Sequence, residues 1–382
     1  MKTIKIAMLV ILISLNSFFA ASCWNYREID EMAIVSGVAV DKGTNHKFLI
    51  TVEIVELTGG TEVKQSIRIV ATEGDSMFDA VRNLIAIIGK KAYWSHTKVV
   101  VISKEIAREG LVKVVDWYNR DVETREDVHL LISKNETAKE IFEGKPITDE
   151  VLSFQLDRMI DNQRVLAKAP FVNLRDFINT YSTKGFCAIA PAISADNISG
   201  EKRTQIMGTA IFKADRLMGF LDDQDTQTML FIQNEVMGGV LFSEEKIKDS
   251  FATLKIYKNK TKVKPVIDAN NIMMEVNIEM NTAVGEIDGT GDLINEDGRK
   301  ILEQYFEDML NNRASMLIKE IQTKYGTDIF GFGAKLHEDK PSVWKVVGDN
   351  WGEEFKNLKV TINTKVSIKN SAQLAKPLEV GD

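Results

Sequence analysis

Cys23 stands directly behind an N-terminal secretory signal, where a thiol can accept a lipid. The n-region carries Lys2 and Lys5, and the stretch from Ile6 to Ala21 is almost wholly apolar, broken only by Ser14, Asn16 and Ser17. The exit Ala20-Ala21-Ser22 has the small side chains that a signal peptidase pocket requires just before the cut. A cysteine at the first mature position can take a thioether-linked diacylglycerol. Two acyl chains hold better than one, because each buried methylene contributes roughly 0.8 kcal/mol. The sequence therefore predicts a lipoprotein signal peptide over residues 1–22 and a mature chain tethered through Cys23 to the outer face of a membrane. A lipobox usually has Leu three residues before the cysteine, and this chain has Ala20. Two other readings are an ordinary signal peptide with a chance cysteine behind the cut, and a retained transmembrane anchor. The apolar stretch is slightly short for a span.

Other residue types that could do chemistry are present, but not at useful spacing. His46, His96, His129 and His337 are scattered, and none has a second ligand three to five residues away, so no metal site is predicted. No nucleophile elbow or phosphate loop occurs. Gly289-Thr290-Gly291-Asp292 lacks the Lys-Ser/Thr ending of a phosphate cradle and reads as a turn. Asp222-Asp223 reads as a pair of solvated turn charges. Cys187 lies in the apolar run Phe186–Ala190 and reads as a small buried residue, not a nucleophile. With Cys23 acylated, Cys187 has no disulfide partner. No catalytic residue, metal or cofactor is expected beyond the covalent lipid.

Composition is that of a globular protein, with 44% hydrophobic and 27% charged residues. The mature chain is too long for one ordinary core, so two or three domains are expected. The net charge of −7 becomes more negative once Lys2 and Lys5 are removed. That argues against nucleic acid, which needs clustered Lys and Arg.

The elements that must position these residues follow from periodicity. Ala33–Asp41 and Phe48–Leu57 read as a strand pair, and Ser66–Ala71 as a third strand. A helix starts near Ser76, with Phe78, Val81, Leu84, Ile85 and Ile88 as its apolar face. Thr97–Ser103 and Val128–Ser133 read as strands, Lys104–Trp117 and Thr137–Phe142 as helices. Asp149–Thr183 is predicted helical with a break near Pro170, and Phe186–Ile193 as a strand. Strands alternating with helices predict a mixed α/β (α+β) fold, its sheets covered by packed helices. Ser194–Thr204 loses apolar periodicity and is the expected linker. Beyond it come strands at Gln205–Phe212, Leu217–Leu221, Ala252–Tyr257, Val263–Ile267 and Ile272–Met280, a helix at Thr226–Gln233, a long amphipathic helix near 299–325, and a last strand at Lys359–Lys369. The expected organisation is an N-terminal region over 23–200, alternatively divided into two subdomains by a break near 145, a C-terminal domain over 205–372, and a tail over 373–382.

Four segments in this order resemble a known family, the Ger(x)C lipoproteins, C subunits of GerA-type spore germinant receptors. They are Cys23-Trp24-Asn25-Tyr26-Arg27-Glu28-Ile29; Gly208–Lys213 with Leu217–Leu221; Val236-Met237-Gly238-Gly239-Val240; and Asp328–Gly333, followed by Trp344 and the Trp351–Phe355 pair. The resemblance implies a mixed α/β fold of three domains and no enzymatic activity. It implies a place on the outer face of the spore inner membrane and partnership with a polytopic A subunit and a transporter-like B subunit. The function it implies is a membrane-anchored subunit needed for nutrient-triggered germination, working through protein–protein contacts. An extracytoplasmic small-molecule (amino acid) binding lipoprotein is the alternative.

Two groups of residues are candidate docking elements. Trp24, Tyr26 and Arg27 follow the lipid, and aromatic rings favour the headgroup region. Gly331 and Gly333 could hold Phe330 and Phe332 on a sharp, exposed turn. Against that stands packing of both rings into the C-terminal core beside Trp344 and Trp351.

Overall fold

The computed structural model describes residues 3–6, 8, 31–58, 64–268 and 271–370. Cys23, Trp24, Tyr26 and Arg27 lie outside the described residues, as does the tail over 373–382. The fold is mixed α/β and is built on two sheets.

The first sheet uses β1 (Met32–Lys42), β2 (Phe48–Thr58), β3 (Lys64–Gly74), β4 (Lys91–Tyr93), β5 (Val99–Ile102), β6 (His129–Ser133), β7 (Ile189–Ile198), β8 (Glu201–Lys213) and β9 (Arg216–Leu221). Its order is β3-β2-β1-β5-β6-β7-β8-β9, with β4 beside the start of β1. The centre, β1-β5-β6-β7, is parallel, and the flanks are antiparallel hairpins. The run Val99-Val100-Val101-Ile102 is apolar throughout because both faces are covered. Val100 and Ile102 join the core that holds α1 (Met77–Ile88), α2 (Lys104–Glu109), α3 (Val112–Arg120) and α6 (Leu174–Ser182). Val99 and Val101 face the turn Lys139–Glu143 and α4 (Leu152–Asp161). The short α5 (Gln163–Leu166) follows.

Helix α1 begins where the Ser76 hydroxyl accepts from the Asp79 amide at 3.1 Å, and it ends at Gly89, left-handed at φ 67°. Its buried stripe is Met77, Ala80, Val81 and Leu84. Phe78 and Ile85, expected on the core face, point outward.

The expected linker Ser194–Thr204 is instead the β7–β8 hairpin, closed by Ser199 at φ 55° and Gly200 at φ 85°. Two consecutive positive-φ residues match the right-handed twist of the strands they join. Asp196–Ile198 are exposed, so the ladder holds there with no apolar alternation to betray it. The first sheet therefore draws β8 and β9 from beyond residue 200.

The second sheet has the order β10-β11-β12-β13, from β10 (Val240–Phe242), β11 (Ser250–Asp268), β12 (Asn271–Gly289) and β13 (Lys359–Asn370). The two strands expected between 252 and 267 are one strand, bulged near Thr253/Leu254 and Ile256/Lys258. Helix α8 (Glu296–Glu320) runs along β13. Glu303 and Glu307 accept from the Ile368 and Val366 amides at 2.7 and 2.9 Å, which satisfies two amides on the free edge of that strand. Between the sheets lies α7 (Asp223–Gln233), buried continuously from Thr226 to Ile232. A helix apolar or hydrogen-bonded all round belongs inside a core, and one hydrophobic cluster runs through both sheets.

Candidate functional site at the seam between the sheets

Three of the four marker segments meet where the two sheets join. The fourth, around Cys23, lies outside the described residues.

The segment Asp328–Gly333 follows α8. A single wide turn, Ile321–Tyr325, closes that helix, and Gly326 at φ 57° caps it. Asp328 is 2% exposed and accepts four hydrogen bonds. The Phe330 and Gly331 amides donate to Oδ1 at 3.0 Å each, and the Gly333 amide to Oδ2 at 2.7 Å. The Trp351 indole N–H donates to Oδ2 at 3.0 Å. One carboxylate thus closes the turn, starts α9 (Phe332–Asp339) and fixes α11 (Trp351–Asn357); α10 (Pro341–Val347) runs between them. The backbone of the same residues reaches the first sheet. The Cys187 amide donates to the Asp328 carbonyl at 2.8 Å, and the Ala334 amide to the Gly185 carbonyl at 3.0 Å. A Cβ on Gly333 would sit 2.6 Å from the Gly185 carbonyl oxygen and overlap the Trp351 indole nitrogen. Glycine at 333 is what lets these two backbones touch.

Phe330 and Phe332 are therefore not exposed: they are 5% and 0% accessible, their rings stacked at 5.3 Å with Phe355 beside them. The docking role expected of them is corrected. The left-handed Gly331 (φ 80°) turns the chain inward over Phe186 instead of presenting a ring. Trp344 and Trp351 join the same cluster, their rings 5.6 Å apart.

Gly208–Lys213 and Leu217–Leu221 are β8 and β9. The Thr327 hydroxyl donates to the Phe212 carbonyl at 3.3 Å, and a Cβ on Gly219 would lie 2.6 Å from the Tyr325 hydroxyl. Val236–Val240 clasps α5: the Met237 amide donates to the Arg164 carbonyl at 3.1 Å, and Gly239 (φ 121°) accepts from the Ile256 amide at 2.9 Å. All three segments hold one part of the molecule to another.

Burial pushes the Asp328 carboxyl up to about 6, against the four donors, which favour its ionised form. Burial likewise raises the Cys187 thiol, which leaves it a poor nucleophile. A cleft of about 320 Å³ opens beside the seam, with Arg164 and Glu235 in its wall. The Arg164 guanidinium lies over the Phe171 ring at 4.1 Å. Among the described residues no cluster of His, Cys, Asp and Glu could hold a metal ion.

Sequence reasoning missed three buried carboxylates, Asp41, Asp328 and Glu53. Glu53, on β2, is 2% exposed. It accepts from the Leu152 and Ser153 amides at 3.0 Å each, from the Ser36 hydroxyl at 2.8 Å, and from the Ser153 hydroxyl. It closes the first turn of α4 from across the sheet.

Comparison with known proteins agrees with this architecture. A model described as spore germination protein N-terminal domain matches residues 25–195. A second, described as spore germination B3/GerAC like, C-terminal, matches residues 207–372. The chain is 20% identical to spore germination protein KC of Bacillus subtilis (strain 168), over 98% of each chain. It is 22% identical to spore germination protein B3 of the same organism, over 93% of this chain and 95% of that one. The crystal structure of the GerBC protein superposes with a TM-score of 0.58 at 20% identity, covering 87% of this chain and 97% of that one.

Proposed function

The chain belongs to the Ger(x)C family of spore germination proteins, and from that premise we propose that it is a lipid-anchored subunit of a nutrient germinant receptor. It works through contacts with A and B subunits at the outer face of the spore inner membrane, with no reaction of its own. The observation that carries this reading is the match of both family models, in order, across nearly all of the chain behind Cys23. Cys23, behind a small-residue exit, supplies the anchor, and Trp24, Tyr26 and Arg27 supply the first contacts beyond it. The seam gives a subunit of this kind one continuous core through which a force on either sheet reaches the other.

The test is to cross-link intact spores, purify this chain from the inner membrane and identify what accompanies it by mass spectrometry. A-type and B-type subunits are expected, with a diacylglyceryl group on Cys23. Recovery of the chain alone and unlipidated removes the proposal.

A second reading, a small-molecule binding lipoprotein, is favoured by one observation. The cleft beside the seam sets a cationic Arg164 and an anionic Glu235 in one wall, as recognition of an amino acid would require. On that reading millimolar amino acids raise the melting temperature; an unchanged melting curve across the common amino acids eliminates it.

A further inference from the structure

We propose that the outward face of α1, together with the loop around Val122, rests on the bilayer to which the chain is tethered. The proposal depends on Cys23 as the attachment point, and deepens that reading by assigning the surface that meets the lipid.

Helix α1 has two apolar stripes. One is buried. The other leaves Phe78 51% and Ile85 37% exposed, and Val122, beyond the end of α3, is 97% exposed. Phe78, Ile85 and Val122 border one groove of about 510 Å³, and a second of about 350 Å³ continues past Phe78 toward α3. Single exposed apolar residues are ordinary, but a group along one groove marks a surface that meets something apolar.

What it meets follows from where the chain enters the fold. Strand β1 starts at Met32, whose register partner is Lys91, and Lys91 lines the groove with Ile85 and Val122. From Cys23 to Met32 the chain spans at most about 30 Å. A lipid on Cys23 thus holds the entry of the chain, and the groove beside it, within about 30 Å of the bilayer surface. Charge agrees. Glu123 pairs with Lys91, and Asp116 with Arg120, while Arg82, Lys113 and Asp121 make no ion pair among the described residues, which leaves the rim with a small positive excess. A rim with a positive excess, in a chain of net charge −7, suits anionic headgroups. The Arg82 guanidinium lies 4.9 Å from the centre of the Phe78 ring. That pair is apolar at one end and charged at the other, as an interfacial contact requires.

The test uses the mature chain with Cys187→Ala, so that Cys23 is the single thiol. It is coupled through Cys23 to a maleimide phospholipid in equimolar phosphatidylcholine and phosphatidylglycerol vesicles. Coupling imposes the tether whether or not the cell lipidates Cys23, which is read separately from the mass of the native Cys23 peptide. Amide hydrogen exchange in 76–88 and 121–125 is expected to slow about threefold or more on the vesicles, with 341–347 unchanged. The triple variant Phe78→Glu, Ile85→Glu, Val122→Glu, at exposed positions, is expected to keep its melting temperature and lose that protection. Unchanged exchange in both segments overturns the proposal, and so does protection that the triple variant retains. Protection that appears only when receptor subunits are added overturns it too, and reassigns the face to a protein partner.

Discussion

Asp328→Asn lowers the unfolding free energy by about 2 to 4 kcal/mol, the expected cost of leaving buried donors without acceptors. The carboxylate accepts from three backbone amides and the Trp351 indole. An Asn side chain keeps one oxygen and aims an N–H₂ group at donors it cannot bond. The variant therefore leaves two of the four buried N–H groups unpaired, at the point where α9, α11 and the Gly185 backbone meet. Urea denaturation of wild type and variant at pH 7, where the carboxyl is ionised and accepts from all four donors, checks the size.

The pH dependence of that difference is a sharper test. Burial raises the folded-state pKa of Asp328 from 3.8 to about 6, so between those values the folded chain binds a proton that the unfolded chain has released. Its contribution to stability is fully present below about pH 4 and falls as pH rises toward 6, by roughly 3 kcal/mol in all. Asn does not titrate. The wild-type advantage over Asp328→Asn is thus expected to shrink as pH rises through this window. Growth of the advantage with pH would mean that the four donors outweigh burial, and the assignment of the raised pKa would be wrong.

Strands buried on both faces were readable from the sequence, because Val99–Ile102 and Val128–Ser133 admit little else. The long helix near 299–325 was readable from its stripe, and its last turn differs only in widening at Ile321. What misled was local polarity. Asp196–Ile198 carries a ladder with exposed side chains, so a hairpin read as a linker. In α1, an apolar residue at nearly every position of a stripe could not say which stripe faced the sheet. Tertiary packing chose Met77 and Ala80 over Phe78 and Ile85. The seam followed from no single segment. Gly331 and Gly333 read as a turn that could display a ring, and Gly219 as part of a strand; their use is visible only where Gly333 meets the Gly185 backbone and Gly219 the Tyr325 hydroxyl. The phenylalanines of Asp328–Gly333 were ambiguous for the same reason: a glycine-flanked ring can be displayed or buried, and the buried carboxylate beside it decides.

Glu53→Gln is the second large effect, about 1.5 to 3 kcal/mol, the range for hydrogen bonds to a buried charged group. In the strand Phe48–Thr58, Ile50, Val52 and Ile54 face the core under α1, and Thr51 and Glu53 face the other side. Alternation alone sends that second side to solvent. Here α4 and the Lys139–Glu143 turn cover it. Glu53 has no Lys or Arg partner among the described residues. Its charge is balanced by the first amides of α4 and by the Ser36 and Ser153 hydroxyls, where the helix end carries partial positive charge. A Gln amide has one acceptor oxygen for the Leu152 and Ser153 amides, and its N–H₂ meets the hydroxyls. Both can rotate to accept, so Gln is expected to cost less than Ala. The site has no room to relax by moving α4 closer, because a Cβ on Gly37 would already overlap the Ser153 hydroxyl and touch the Phe142 ring at 3.0 Å. The loss is therefore expected in α4 first: amides in 152–161 exchange faster in the variant at denaturant concentrations where β5 and β6 stay protected. If exchange rises uniformly across the chain, Glu53 stabilises the whole core and not the helix it caps.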